Sequence, residues 1–187
     1  MRHFSFRPTL SLKGRKFKGL RGWAGKPFHP PLTDIPVTAY VFAAVFDIIA
    51  VVGRHHGYAP DFYRAATYTF VGGGAVSVFA ALTGFWDWWR SSEAGTQARR
   101  TINSHASIMI TVTVLAIVDI IIRLNQYHTR AYPSGVVLVL SIVTAALVSL
   151  GATYGGTLVY DYGFNVETAG DSPVWHQNEV DVYPGQK

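Results

Sequence analysis

The sequence predicts an all-α fold, an integral membrane four-helix bundle, and three observations predict it. Of the 187 residues, 49% are hydrophobic and 14% charged. The apolar residues come in long blocks, not in the alternation of a half-buried strand. Four of these blocks, at about 35–52, 65–89, 103–124 and 136–154, approach the ~20 apolar residues a helix needs to cross hydrocarbon. Together they make one membrane domain, 27–162, between a basic tail, 1–26, and an acidic arm, 163–187.

The tail carries eight Lys or Arg and no acid, and lacks the apolar run of a cleavable signal. With the N-terminus inside, twelve of the sixteen basic residues fall on the inner side: eight in the tail, three in 90–100, and Lys187. The positive-inside rule then predicts a multi-pass membrane protein with both termini cytoplasmic (N-in/C-in). The formal net charge of +5 reports that orientation and an attraction to anionic lipid. Phe4, Phe6 and Phe17 are interleaved with the tail's charges, but lipid already accounts for the charge and no nucleic-acid partner is read from it. There is no cysteine, which excludes disulfides, thiolate metal sites, iron–sulfur clusters and covalently attached c-type haem in this chain.

Helix 1 is expected to start near Asp34, its carboxylate capping the first turn, with Pro30, Pro31 and Pro36 shaping a rigid entrance. Helix 2 follows the turn "GRHHGYAPDFYR" and ends in "GFWDWWR", the aromatic and basic composition of a membrane interface. Helix 3 is expected to open at Asn103, and helix 4 after "AYPSG". Small residues recur every fourth position in helix 2 (Gly73, Ser77, Ala81; Ala80, Gly84) and in helix 4 (Ser141, Ala145, Ser149; Gly151, Gly155). Such seams let backbones approach closely, and in lipid that packing replaces the hydrophobic drive. A flat cofactor between helices would use the same space.

Ionisable groups within a span cost ~2.5–3.5 kcal/mol on insertion scales and usually face a partner or a cavity. The topology sorts them into two layers. One, on the outer side, holds Asp47, Arg64, Asp119 and Arg123 and reads as a girdle of structural ion pairs, with Asp47 free to choose among Arg123, Arg64 and Arg54. The other, on the inner side, holds His29, Asp34, Asp87, Asn103 and His105. Asp87 shares a helical face with Ala80 and Gly73, and His105, Met109, Val112, Ala116, Asp119 and Arg123 fall on one line of helix 3. Asp87 needs a donor, for which Arg90 and His105 are the candidates.

Four readings of the inner layer stay open. His29 and His105 suit the two axial ligands of a b-type haem, each ring oriented by an acid. His29, Asp87 and His105 suit a single zinc or iron ion with an open position. The same groups suit a proton relay. The fourth reading is a hydrogen-bonded cap that holds the entrance to helices 2 and 3. His55, His56 and His128 offer a second ligand set across the bilayer, against the plainer reading of solvated turn residues. No dinucleotide fingerprint, phosphate loop, metalloprotease helix or serine triad is present.

Through "HPPLTDIPVTAYVFAAVFD", "GGGAVSVFAALTGFWDWW" and "NSHASIMITVTVLAIVD" the chain resembles the membrane proteins of domain of unknown function 2231, over about 27–162. The matching positions are His29, Pro30, Pro36, Asp47, Asp87 and His105. The resemblance implies a four-helix bundle similar in layout to b-type cytochromes. It also implies membrane-subunit partners, and, because some members carry a Rieske-type domain, a separate Rieske-type protein as one of them. The leading expectation is therefore a haem- or metal-binding subunit of a membrane electron-transfer complex. A non-catalytic assembly subunit and a proton or small-solute conduit are the alternatives.

Overall fold

The computed structural model describes residues 27–165. The basic tail and most of the acidic arm lie outside the described residues. Four helices follow in order: α1 (His29–Val52), α2 (Ala59–Ser91), α3 (Gln97–Gln126) and α4 (Gly135–Tyr160). Each contains one expected span and runs beyond it, because backbone hydrogen bonding continues past the end of an apolar block. All four are long and apolar enough to cross a membrane.

Local chemistry sets the helix starts. α1 begins at His29 and not at Asp34, which corrects the expected cap: the capping position is Phe28, without a side-chain bond, and prolines occupy the first turn. Proline fits there because its missing donor has no partner to lose and its φ is already helical. Pro36 lies inside α1, where a proline is tolerated in a membrane helix when neighbours compensate. Gly73 of α2 provides the room: a Cβ there would stand 2.5 Å from Ala39 Cβ and 3.6 Å from Pro36 Cα. α3 opens six residues before Asn103, at Gln97, with Thr96 accepting from the Arg99 amide. Thr96 is the better N-cap because it directly precedes the helical run. Ser134 caps α4 in the same way, accepting from Val137 N–H. Between α2 and α3, Gly95 takes φ +82°, a conformation that favours glycine.

The helices form a ring. α1 packs chiefly on α2 and α3 on α4; α1 also meets α4, and α2 meets α3. α1 and α3 therefore face each other across a diagonal, as do α2 and α4. Tyr40, Ala43, Phe70, Val112, Ala116 and Val148 fill the dry centre, with the Tyr40 and Phe70 rings 4.7 Å apart. The outside carries Phe42, Ile48, Phe79, Leu82, Ile117 and Leu150, an apolar surface suited to lipid and not to water. The α1–α2 and α3–α4 turns define a hairpin side, and the opposite end, where α1 starts and α4 finishes, a terminal side.

Candidate functional site

On the hairpin side, α3 presents Asp119 and Arg123 one helical turn apart, and α1 presents Asp47 across the diagonal. All three are fully buried. Arg123 grips Asp47 bidentately, NH1 to Oδ1 at 3.0 Å and NH2 to Oδ2 at 2.6 Å. It also donates from Nε to Asp119 Oδ1 at 3.0 Å and from NH2 to Asp119 Oδ2 at 3.3 Å. The planar guanidinium fork matches two carboxylates at once, which an ammonium cannot do. Its cationic carbon stands 5.0 Å from the Phe70 ring centre and 5.9 Å from that of Tyr63, so α2 supplies the remaining wall of the cluster.

On the terminal side, α1 presents His29 to α2, and α3 presents His105 to α4. His29 Nδ1 lies 2.9 Å from the Ala80 carbonyl oxygen and 3.3 Å from Thr83 Oγ1. His105 Nδ1 lies 2.8 Å from the Gly151 carbonyl oxygen. A carbonyl oxygen can only accept, so each Nδ1 carries its proton; in the neutral ring the lone pair is then on Nε2. A glycine lies one turn beyond each acceptor. A Cβ on Gly84 would stand 2.6 Å from His29 Cε1, and one on Gly155 would stand 3.3 Å from His105 Cε1. The small-residue seams thus seat imidazole rings. Both rings lie toward the terminal side, His29 at the start of α1 and His105 early in α3.

The aromatic interface lies beside this pair. Trp88 Nε1 donates to Asn103 Oδ1 at 2.8 Å, and the Arg99 guanidinium stacks 4.1 Å over the Trp88 ring. These contacts clip α2 to α3 where the chain turns between them.

The outer layer read from the sequence assembles as Asp47, Asp119 and Arg123, without Arg64. Arg64 instead faces exposed Asp61 at 3.7 Å, since both lie in the solvated first turns of α2 and long side chains there reach water. Arg54 is exposed too, with Nε 3.2 Å from His55 Nε2. In the inner layer, His29 is the first residue of α1 and not part of a preceding segment. Asp87 is buried on the face of α2 that also carries Gly73 and Ala80, as the helical spacing requires. Among the described residues no three His, Asp or Glu side chains group as a metal site, so His29, Asp87 and His105 are not brought together as a three-ligand set. His55, His56 and His128 are exposed in the turns.

Sequence reasoning missed the ring acceptors, because a backbone carbonyl has no residue identity to read. The signal within reach was the spacing: Ala80 and Gly84, like Gly151 and Gly155, lie one turn apart on helices that follow a histidine-bearing one.

A ring of four spanning helices with a buried charge cluster on one side and an oriented histidine pair on the other defines a multi-pass α-helical membrane protein. Residues 25–168 match the family model described as a predicted membrane protein of domain of unknown function 2231, and the chain belongs to that family. No curated protein and no solved structure matches the chain.

Proposed function

We propose that this chain is a cofactor-binding subunit of a membrane electron-transfer complex, with His29 and His105 as the ligands of a haem b or a single metal ion. The observation that carries the proposal is the shared geometry of the two rings: each donates Nδ1–H to a backbone carbonyl of the neighbouring helix. Ligating histidines are held in this manner, the second nitrogen bonded to protein and Nε2 turned over to the metal. When bound, such a centre supplies one-electron redox chemistry. The chain's own residues fix ring orientation and keep the centre in a half-buried, low-dielectric setting. The basic tail and the 90–100 segment favour a cytoplasmic terminal side in a bacterial inner membrane. Partners there are other membrane subunits, with a separate Rieske-type protein as the electron donor or acceptor.

A second reading has its own observation. The close fit of His29 over Gly84, 2.6 Å to an added Cβ, also suits a ring that only ties helices in a structural or assembly subunit. An absorption spectrum of detergent-purified protein, oxidised and then dithionite-reduced, with metal analysis on the same sample, separates the two. A reduced b-type spectrum or a stoichiometric metal supports the first; a colourless, metal-free protein from cells supplied with haem precursor supports the second.

A further inference from the structure

The two histidines occupy the same place in two copies of one design. His29 and His105 are 76 positions apart, and the same offset relates Pro36 to Val112, Tyr40 to Ala116, Ala43 to Asp119 and Asp47 to Arg123. Apart from the half-buried histidines, every one of these residues is buried. Along α1 the histidine is the one identity with the matching stretch of α3. For α2 and α4 the offset is 71: Ala80 matches Gly151, Gly84 matches Gly155, Phe70 matches Ser141 and Asp87 matches Leu158. Each histidine bonds the carbonyl at the first of these pairs and covers the glycine at the second.

The topology agrees. Rotation by half a turn about the bundle axis carries α1 onto α3 and α2 onto α4, and it exchanges the α1–α4 and α2–α3 contacts, both of which are present. Parallel repeats related by an axis along the membrane normal are a known way to build a polytopic protein with a site at the repeat interface. The Asp47–Arg123 pair joins two positions that the rotation exchanges, so one copy contributes the anion and the other the cation.

Resting on the reading of the histidines as ligands, we infer that the chain is a tandem repeat of one helical hairpin and that its ligand is a metal tetrapyrrole held on the pseudo-two-fold axis. Each hairpin contributes one axial imidazole, and the two contribute equally. Zinc-type sites take three or four protein ligands, whereas two equivalent imidazoles suit a metal whose macrocycle fills its other positions. No third ligand group joins the histidines among the described residues.

The test is a haemin titration of the full-length purified protein and of its His29→Gly and His105→Gly variants, read by optical and electron paramagnetic resonance spectra, with and without added imidazole. The expected result is a low-spin, six-coordinate ferric spectrum for the parent. Both variants convert to high spin, each with at least a tenfold loss of affinity, and imidazole restores low spin to both. One variant that stays low-spin while the other changes overturns the equal-halves inference and leaves the histidine site standing. Binding of a metal ion at these histidines without haemin also overturns the inference alone. A parent that binds neither haemin nor metal overturns the proposed function itself.

Discussion

The two polar ends of the bundle differ in how completely their chemistry is used up. On the hairpin side Arg123 makes four hydrogen bonds to two carboxylates, with every side chain buried. On the terminal side each histidine commits one ring nitrogen to a carbonyl. A closed set of charges holds helices together; on the proposed function, the pair of rings keeps its Nε2 atoms for a ligand. The contrast teaches that intramembrane polarity alone does not mark a site.

The largest effect should come from opening the closed end. Arg123→Leu leaves Asp47 and Asp119 buried without their cation, at a cost of about 3–5 kcal/mol, and thermal melting in detergent should show the bundle largely unfolded. A melting point unchanged within a few degrees would mean that the cluster is not the lock it looks like. Swapping the diagonal pair sharpens the point: Asp47→Arg or Arg123→Asp alone should be as damaging as Arg123→Leu, whereas the double variant should recover part of the loss, because it again sets a cation against an anion across the diagonal.

Next in size is the seat of the rings. Gly84→Ala should cost about 1–3 kcal/mol through overpacking, because its Cβ would lie 2.6 Å from His29 Cε1, and should detach His29 from Ala80. Gly155→Ala, with 3.3 Å to His105 Cε1, should cost less. Melting curves for the pair check the order, and equal effects would contradict it. His105→Ala removes one interhelical hydrogen bond, worth about 0.6 kcal/mol in membrane bundles, so a bundle that fails to fold after this change would place the histidine with the closed end. The smallest effect belongs to Arg64→Ala: an exposed pair at 3.7 Å is worth about 0–1 kcal/mol, and its melting curve should overlay that of the parent.

Much of this layout was legible in the residues. The line from His105 through Val112, Ala116, Asp119 and Arg123 follows from helical spacing, and the buried part of that line is the inner face of α3. Asp87 with Gly73 and Ala80 follows in the same way. Helix starts were less legible. Asp34 looked like a cap, but two prolines earlier in the chain can begin a helix without one, and Thr96 was hidden in a polar segment before the apolar block. The choice of Arg123 over Arg64 for Asp47 depends on which helices stand diagonally opposite, which spacing along one helix cannot show. The repeat was invisible to inspection because apart from its histidine the α1 pattern persists in α3 as burial and not as identity: Asp47 answers Arg123, and Tyr40 answers Ala116.

The most direct test of the contrast between the two ends is a haemin titration of three proteins side by side: the parent, Asp119→Asn at the closed end, and His105→Ala at the open one. Asp119→Asn keeps the bidentate Arg123–Asp47 pair and should bind as the parent does, while His105→Ala should lose the low-spin spectrum yet remain folded. Equal binding by the parent and His105→Ala, or no binding by the parent, would contradict the assignment of the histidine pair as the working end of the molecule.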